Sequence, residues 1–164
     1  DCAIELISLS KCYNMAGWRV GAIIGAKPYI DTIMTFKSNM DSGMFKPIQE
    51  AAAVALNLGQ DWIDALNEQY ADRKKAACDI MSLLGCRFQE DGAGLFVWGK
   101  IPEKVGDSEA LANKLLHETR VFITPGHIFG SQGDQYLRIS LCSPVEDMLA
   151  ALYRIQTGFV NLGL

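Results

Sequence analysis

Apolar positions recur along this chain with two different periods. Residues 4–9 and 18–25 are short apolar runs bounded by polar or small residues, a pattern that predicts buried strands. Gly17, Gly21 and Gly25 mimic the small-residue spacing of membrane helices, but the run is short and carries Arg19, so a strand is expected there. Helical spacing follows. Lys27-Pro28 opens a helix to about residue 39, with Pro28 suited to its first turn, and Asp41-Ser42-Gly43 breaks it. Residues 47–58, rich in alanine (Ala51, Ala52, Ala53, Ala55), predict a closely packed helix ended by Gly59.

Asp61 is placed to cap a longer helix carrying Trp62, Ile63, Leu66, Tyr70, Ala77, Ile80, Met81 and Leu84, closed by Gly85. Residues 86–89 and 95–98 predict a strand pair around Glu90-Asp91-Gly92. Asp107 or Ser108 caps a helix through Leu111, Leu115 and Leu116. Residues 121–124 are expected to form a strand stopped by Pro125-Gly126, residues 136–141 alternate as another expected strand, and a last helix is expected from 145 to about 155. From about residue 61 the order is helix, two strands, helix, two strands, helix, which is compatible with a compact α/β sandwich. The stretch before it differs in kind: two strands and two apolar helices cannot close a core from so few residues without partners. Apolar strand character starts at once in Cys2-Ala3-Ile4 and the first residue is Asp1, so the chain is expected to begin inside something larger.

Composition narrows the possibilities. The 164 residues are 49% hydrophobic and 21% charged, which describes a globular domain with a real core. A net charge of -4 and a pI near 5.1 argue against nucleic acid as a partner, because that recognition needs a basic face. Mean hydropathy is +0.10, yet no uninterrupted apolar stretch reaches membrane-spanning length, so no membrane role is expected. The five cysteines (Cys2, Cys12, Cys78, Cys86, Cys142) are odd in number, lack a Cys-x-x-Cys spacing and follow no leader-like segment, which points to a reduced, cytoplasmic setting. His117 and His127 stand in no ligand-like spacing, so no metal site is expected; His117 falls on a helix where a solvated or half-buried place is ordinary.

The densest cluster of unusual residues is Ser8-Leu9-Ser10-Lys11, followed at a short interval by Met15-Ala16-Gly17-Trp18-Arg19-Val20-Gly21. A lysine where a strand leaves the core can be desolvated, which disfavours the ammonium and frees a lone pair for Schiff-base formation with an aldehyde. Hydroxyls and a guanidinium beside it suit a dianionic phosphate. Taken singly, each residue has an ordinary alternative: Lys11 a solvated strand end, Arg19 an ion-pair partner, Ser8 and Ser10 turn hydroxyls bonded to local backbone.

The unbroken string Ser-x-Ser-Lys … Met-x-Gly-Trp-Arg-x-Gly resembles the lysine motif of the class I/II aminotransferases, the fold-type I pyridoxal-phosphate enzymes. Asp41-Ser42-Gly43 with Pro47-Ile48-Gln49-Glu50-Ala51-Ala52, Gly94-Leu95-Phe96-Val97-Trp98, Pro125-Gly126 with Phe129-Gly130, and Tyr136-Leu137-Arg138-Ile139-Ser140 are similar to later segments of the same family. The resemblance implies pyridoxal 5'-phosphate linked to Lys11, with its phosphate held by Ser8, Ser10 and Arg19. It implies Arg138 on the substrate carboxylate, amino acid and 2-oxo acid substrates, and a homodimer. Arg138 also has a case of its own, since an arginine in an alternating apolar strand is costly unless it meets an anion, either a substrate carboxylate or a protein one.

The match covers the family's C-terminal portion. It implies an edge of the large cofactor domain over residues 1–60 and a complete small α/β domain over 61–164, with the chain alone expected to be inactive. Same-fold carbon–sulfur lyases and decarboxylases share the motif, and a non-catalytic folding or dimerisation module is the reading from a different class. Within the transaminases, residues 39–49 look most like the LL-diaminopimelate and alanine/aspartate types.

Overall fold

The computed structural model describes residues 3–162. The expected strand character at Cys2 lies outside the described residues. The chain divides into two compact units, Asp1–Ala65 and Leu66–Leu164.

In the first unit, β1 (Ile4–Ser8) and β2 (Gly21–Gly25) form an antiparallel ribbon registered from Ile4 opposite Gly25 to Ser8 opposite Gly21. A Cβ at Gly21 would stand 2.5 Å from the Ile7 carbonyl oxygen, so the close strand approach at this end requires glycine. The second strand is shorter than the apolar run 18–25 suggests. Arg19 takes a left-handed conformation (φ 52), which an extended strand cannot include, and residues Ala16–Trp18 form a 3-10 turn instead. Helix α1 (Leu9–Cys12) follows β1, and α2 (Lys27–Met40) follows β2. Lys27–Asp31 at 2.7 Å and Lys37–Asp41 at 2.9 Å brace α2 along its own surface. The hydrogen bond from Lys37, helped by one from the Gly43 amide, holds the Asp41 carboxyl below its ordinary value.

No residue of α2 is buried. The unit's small core is Leu9, Met15 and Val20 against Ala52 and Ala55 of α3 (Lys46–Leu56), where alanine allows the helix close in. Leu6 is 75% exposed and Phe36 70%, so much apolar surface of this unit faces outward.

The second unit is a four-stranded antiparallel sheet with three helices. Strands β3 (Arg87–Phe88), β4 (Phe96–Lys100), β5 (Thr124–Pro125) and β6 (Tyr136–Ser140) lie in the order β3-β4-β6-β5. Helix α4 (Gln60–Leu83), α5 (Ser108–Thr119) and α6 (Val145–Leu162) supply Ala77, Ile80 and Met81, Leu111 and Leu115, and Met148 and Ile155 to one core with Val97 and Leu137 of the sheet. Side chains alternate across the strands. Val97, Gly99 and Leu137 are buried, whereas Phe96 and Trp98 are exposed and Arg138 is half-buried. At Gly99 a Cβ would lie 2.7 Å from Met81 Sδ, so α4 presses directly on the strand.

The helix–strand order expected from residue 61 onward is observed, as a mixed α/β arrangement, with several boundaries moved. Residues 121–124 do not form the expected strand: Val121 and Ile123 are buried without joining a ladder, and β5 comprises only Thr124–Pro125. The paired strands fall at 87–88 and 96–100, α4 begins at Gln60 with Asp61 inside its first turn, and α6 continues to Leu162. Asp107 is the cap of α5, its Oδ1 accepting from the Ala110 amide at 2.8 Å. Among the described residues no helix is long and apolar enough to cross a membrane.

Candidate active site

Lys11 does not sit on a strand end. Ser8 closes β1 in extended geometry (φ -120, ψ 132) and caps α1, its Oγ accepting from the Ser10 amide at 3.3 Å. The Leu9 amide donates to the Val20 carbonyl at 3.2 Å, and the amides of Tyr13 and Met15 both return to the Leu9 carbonyl at 3.3 Å. The turn therefore wraps around Leu9, which is 2% exposed and takes the buried place. Lys11 faces outward and is exposed, so the water-stripping exit expected from the apolar run is not provided by these residues.

The ribbon brings the candidate groups to one end. Ser8 lies opposite Gly21, and Arg19 precedes that glycine by one short step, so Ser8, Ser10, Lys11 and Arg19 share the closed end of the β1–β2 pair. Arg19 Nη1 donates to the Ala16 carbonyl at 3.0 Å, which steadies the turn and leaves the other guanidinium donors open. Among the described residues Arg19 meets no carboxylate, Lys11 has no hydrogen bond or ion pair, and Ser8 Oγ accepts one bond and donates none. Trp62 Nε1 donates to the Cys12 carbonyl at 3.3 Å, anchoring the residue next to Lys11. An amine, two hydroxyls and a guanidinium with free donors make a donor set that fits a phosphorylated aldehyde such as pyridoxal phosphate.

Arg138 belongs to the second unit. It is paired with Trp98 on β4 and with Thr124 on β5, on the sheet face away from the helices. Its guanidinium carbon lies 4.3 Å from the Phe96 ring centroid, 4.1 Å from that of Phe129 and 6.0 Å from that of Trp98. Among the described residues Arg138 Nε is buried without a hydrogen-bond partner and no carboxylate pairs with this arginine. Among the described residues, aromatic rings are what lie against this guanidinium. The residues that surround Arg138 escaped the sequence reading as a group. The alternation of Phe96 and Trp98 against Val97 and Gly99, set in register with β6, was the signal that could have found two of them.

Among the described residues no three His, Cys, Asp or Glu side chains converge as metal ligands. The Cys12, Cys78, Cys86 and Cys142 thiols are free. His127 Nε2 stands 3.9 Å from Glu109 Oε2, a long contact that fixes little.

Comparison with known proteins adds a lineage to this geometry. Residues 3–155 match the family described as aminotransferase class I and II. The LL-diaminopimelate aminotransferase of Aquifex aeolicus is 38% identical over 156 residues, covering 95% of this chain and 40% of that protein. Its counterpart in Gloeobacter violaceus is 38% identical over 161 residues, covering 98% of the chain and 41% of that protein. Among solved structures, substrate-bound BacF from Bacillus subtilis superposes with a TM-score of 0.81 at 34% identity, over 94% of this chain and 39% of the other. The aromatic aminotransferase of Pyrococcus horikoshii gives 0.82 at 25% identity, over 96% and 43%. The chain therefore spans about 40% of the length of the relatives it matches.

Proposed function

The chain belongs to the class I and II aminotransferases, a pyridoxal-phosphate-dependent family, and from that membership we propose that it is the C-terminal part of an enzyme moving an amino group between an amino acid and a 2-oxo acid. The observation that carries this reading is the donor set at the closed end of the ribbon, where Ser8, Ser10, Lys11 and Arg19 keep donors free of protein partners. On this reading residues 1–60 are a remnant of the cofactor domain and residues 61–164 the small domain. The relatives' name makes LL-diaminopimelate the first amino donor to try.

The roles follow from the chemistry of each group. Ser8 and Ser10 hydroxyls and the Arg19 guanidinium hold the cofactor phosphate through charge-assisted hydrogen bonds. Lys11 Nζ would hold the aldehyde carbon of the cofactor and, when freed from it, would carry the proton away from the substrate α-carbon. When bound, pyridoxal phosphate supplies the electron sink that stabilises the charge left there. Arg138 offers its fork to the substrate carboxylate, which favours reactions that keep that carboxylate over decarboxylation. Cytoplasmic residence and a homodimer complete the proposal; free thiols support the first, and the outward apolar side chains of the first unit support the second.

Lys11→Ala in the enzyme carrying this chain tests the assignment. The expected result is loss of the near-visible absorption of bound cofactor and of amino transfer, with the far-UV circular dichroism of the folded protein kept. A variant that retained both the absorption and turnover would remove Lys11 from the role.

A further inference from the structure

We infer that Phe96 and Phe129 are positioning residues for substrate selection, clamping the Arg138 guanidinium so that its in-plane donors, and not its faces, are offered to a carboxylate. This rests on the reading of Arg138 as the carboxylate contact. Both rings lie within 4.3 Å of the guanidinium carbon, inside the range where a ring face attracts a cation. An aromatic ring shields a guanidinium face from water yet accepts none of the strong hydrogen bonds that run outward along its edge. An arginine with a purely structural role spends those edge donors on carbonyls or carboxylates, because buried N–H groups are paired almost without exception. Here Nε is buried and has no partner among the described residues. Nε is closed to solvent and no hydrogen bond to the Arg138 guanidinium is made among the described residues, so the charge is held partly dried, the state that strengthens capture of an anion.

The clamp is built before any ligand arrives. Phe96 is brought in by the register that sets Trp98 opposite Arg138. Phe129 comes from the 3-10 turn Gly126–Phe129 between β5 and β6. The backbones of Gly126 and Gly133 meet so closely that a Cβ on either would run into the carbonyl of the other, and the Gly133 amide donates to the Gly130 carbonyl at 2.8 Å. The turn is fixed at its neck, and Trp98 braces Phe129 edge-on, with ring centroids 5.3 Å apart at 69°. Phe96 and Phe129 are themselves exposed, so truncating them opens no core.

The test uses the cofactor-loaded enzyme carrying this chain and four variants: Phe96→Leu, Phe129→Leu, Phe129→Tyr and Arg138→Gln. Each leucine variant is expected to raise KM for the amino acid, and the dissociation constant of an unreactive carboxylate such as maleate, by about tenfold, with a much smaller change in kcat. Phe129→Tyr, which keeps the ring, is expected to restore both. Reaction with a simple amine that lacks a carboxylate is expected to be unmoved in the leucine variants. If Arg138→Gln leaves maleate binding intact, the carboxylate role of Arg138 is wrong. If Arg138→Gln weakens it while both leucine variants bind as the parent does, or if the simple amine suffers equally, the clamp is wrong and the role of Arg138 stands.

Discussion

Burial beside α4 and β4 pushes the Cys86 thiol up to about 11, since a thiolate there would lose its water with no cation to replace it. The folded protein therefore keeps a proton that the unfolded chain releases nearer 9, and the sign of the linkage follows: stability is full below about 9 and falls as the pH rises toward about 11. Urea unfolding at pH 8 and pH 10 checks it, with Cys86→Ala expected to show the smaller decline; parallel declines in both proteins would count against it. Cys78 shifts in the same direction, mainly by desolvation, so some decline should survive the substitution. Site residues were legible to the extent that they are contiguous. Ser8, Ser10, Lys11 and Arg19 stand in one string and reach one ribbon end, because a reversal over few residues cannot scatter them. Phe96 and Phe129 meet Arg138 only through strand register and a loop's shape, which no local pattern encodes.

Helix α5 illustrates how much of an element its first residue controls. Asp107 Oδ1 satisfies the Ala110 amide at 2.8 Å, one of the donors the helix leaves open at its start. Asp107→Ala is expected to cost about 1 kcal/mol of stability, read as a lower urea midpoint with an unchanged slope. An unchanged midpoint would mean that water replaces the cap without loss. Cap residues, prolines and glycines also explain why the helices were readable to within a residue or two at most ends. Strands were harder. Val121 and Ile123 are as apolar as a strand requires and are buried, but burial needs no ladder, and β5 begins only at Thr124. The start of β2 was missed because it depends on one backbone angle at Arg19, a residue whose type does not announce a left-handed turn.

The two units differ in how much apolar surface each encloses. The second has a continuous core from three helices and a sheet, whereas the first, among its described residues, encloses five buried side chains and leaves every residue of α2 at least partly exposed. Hydrogen exchange on the 164-residue chain should follow that difference, with amides of β4, β6 and the buried turns of α4 slowest and those of α2 fastest among the long helices. Protection of α2 equal to that of α5 would show that something covers it in solution. Because Gly126 and Gly133 pinch the loop shut at its base, side chains strung between them can change while the base keeps its close backbone contact. Phe129 is one of those positions, so an exchange there is expected to alter what lies against the Arg138 guanidinium while the strand that carries Arg138 keeps its pairing.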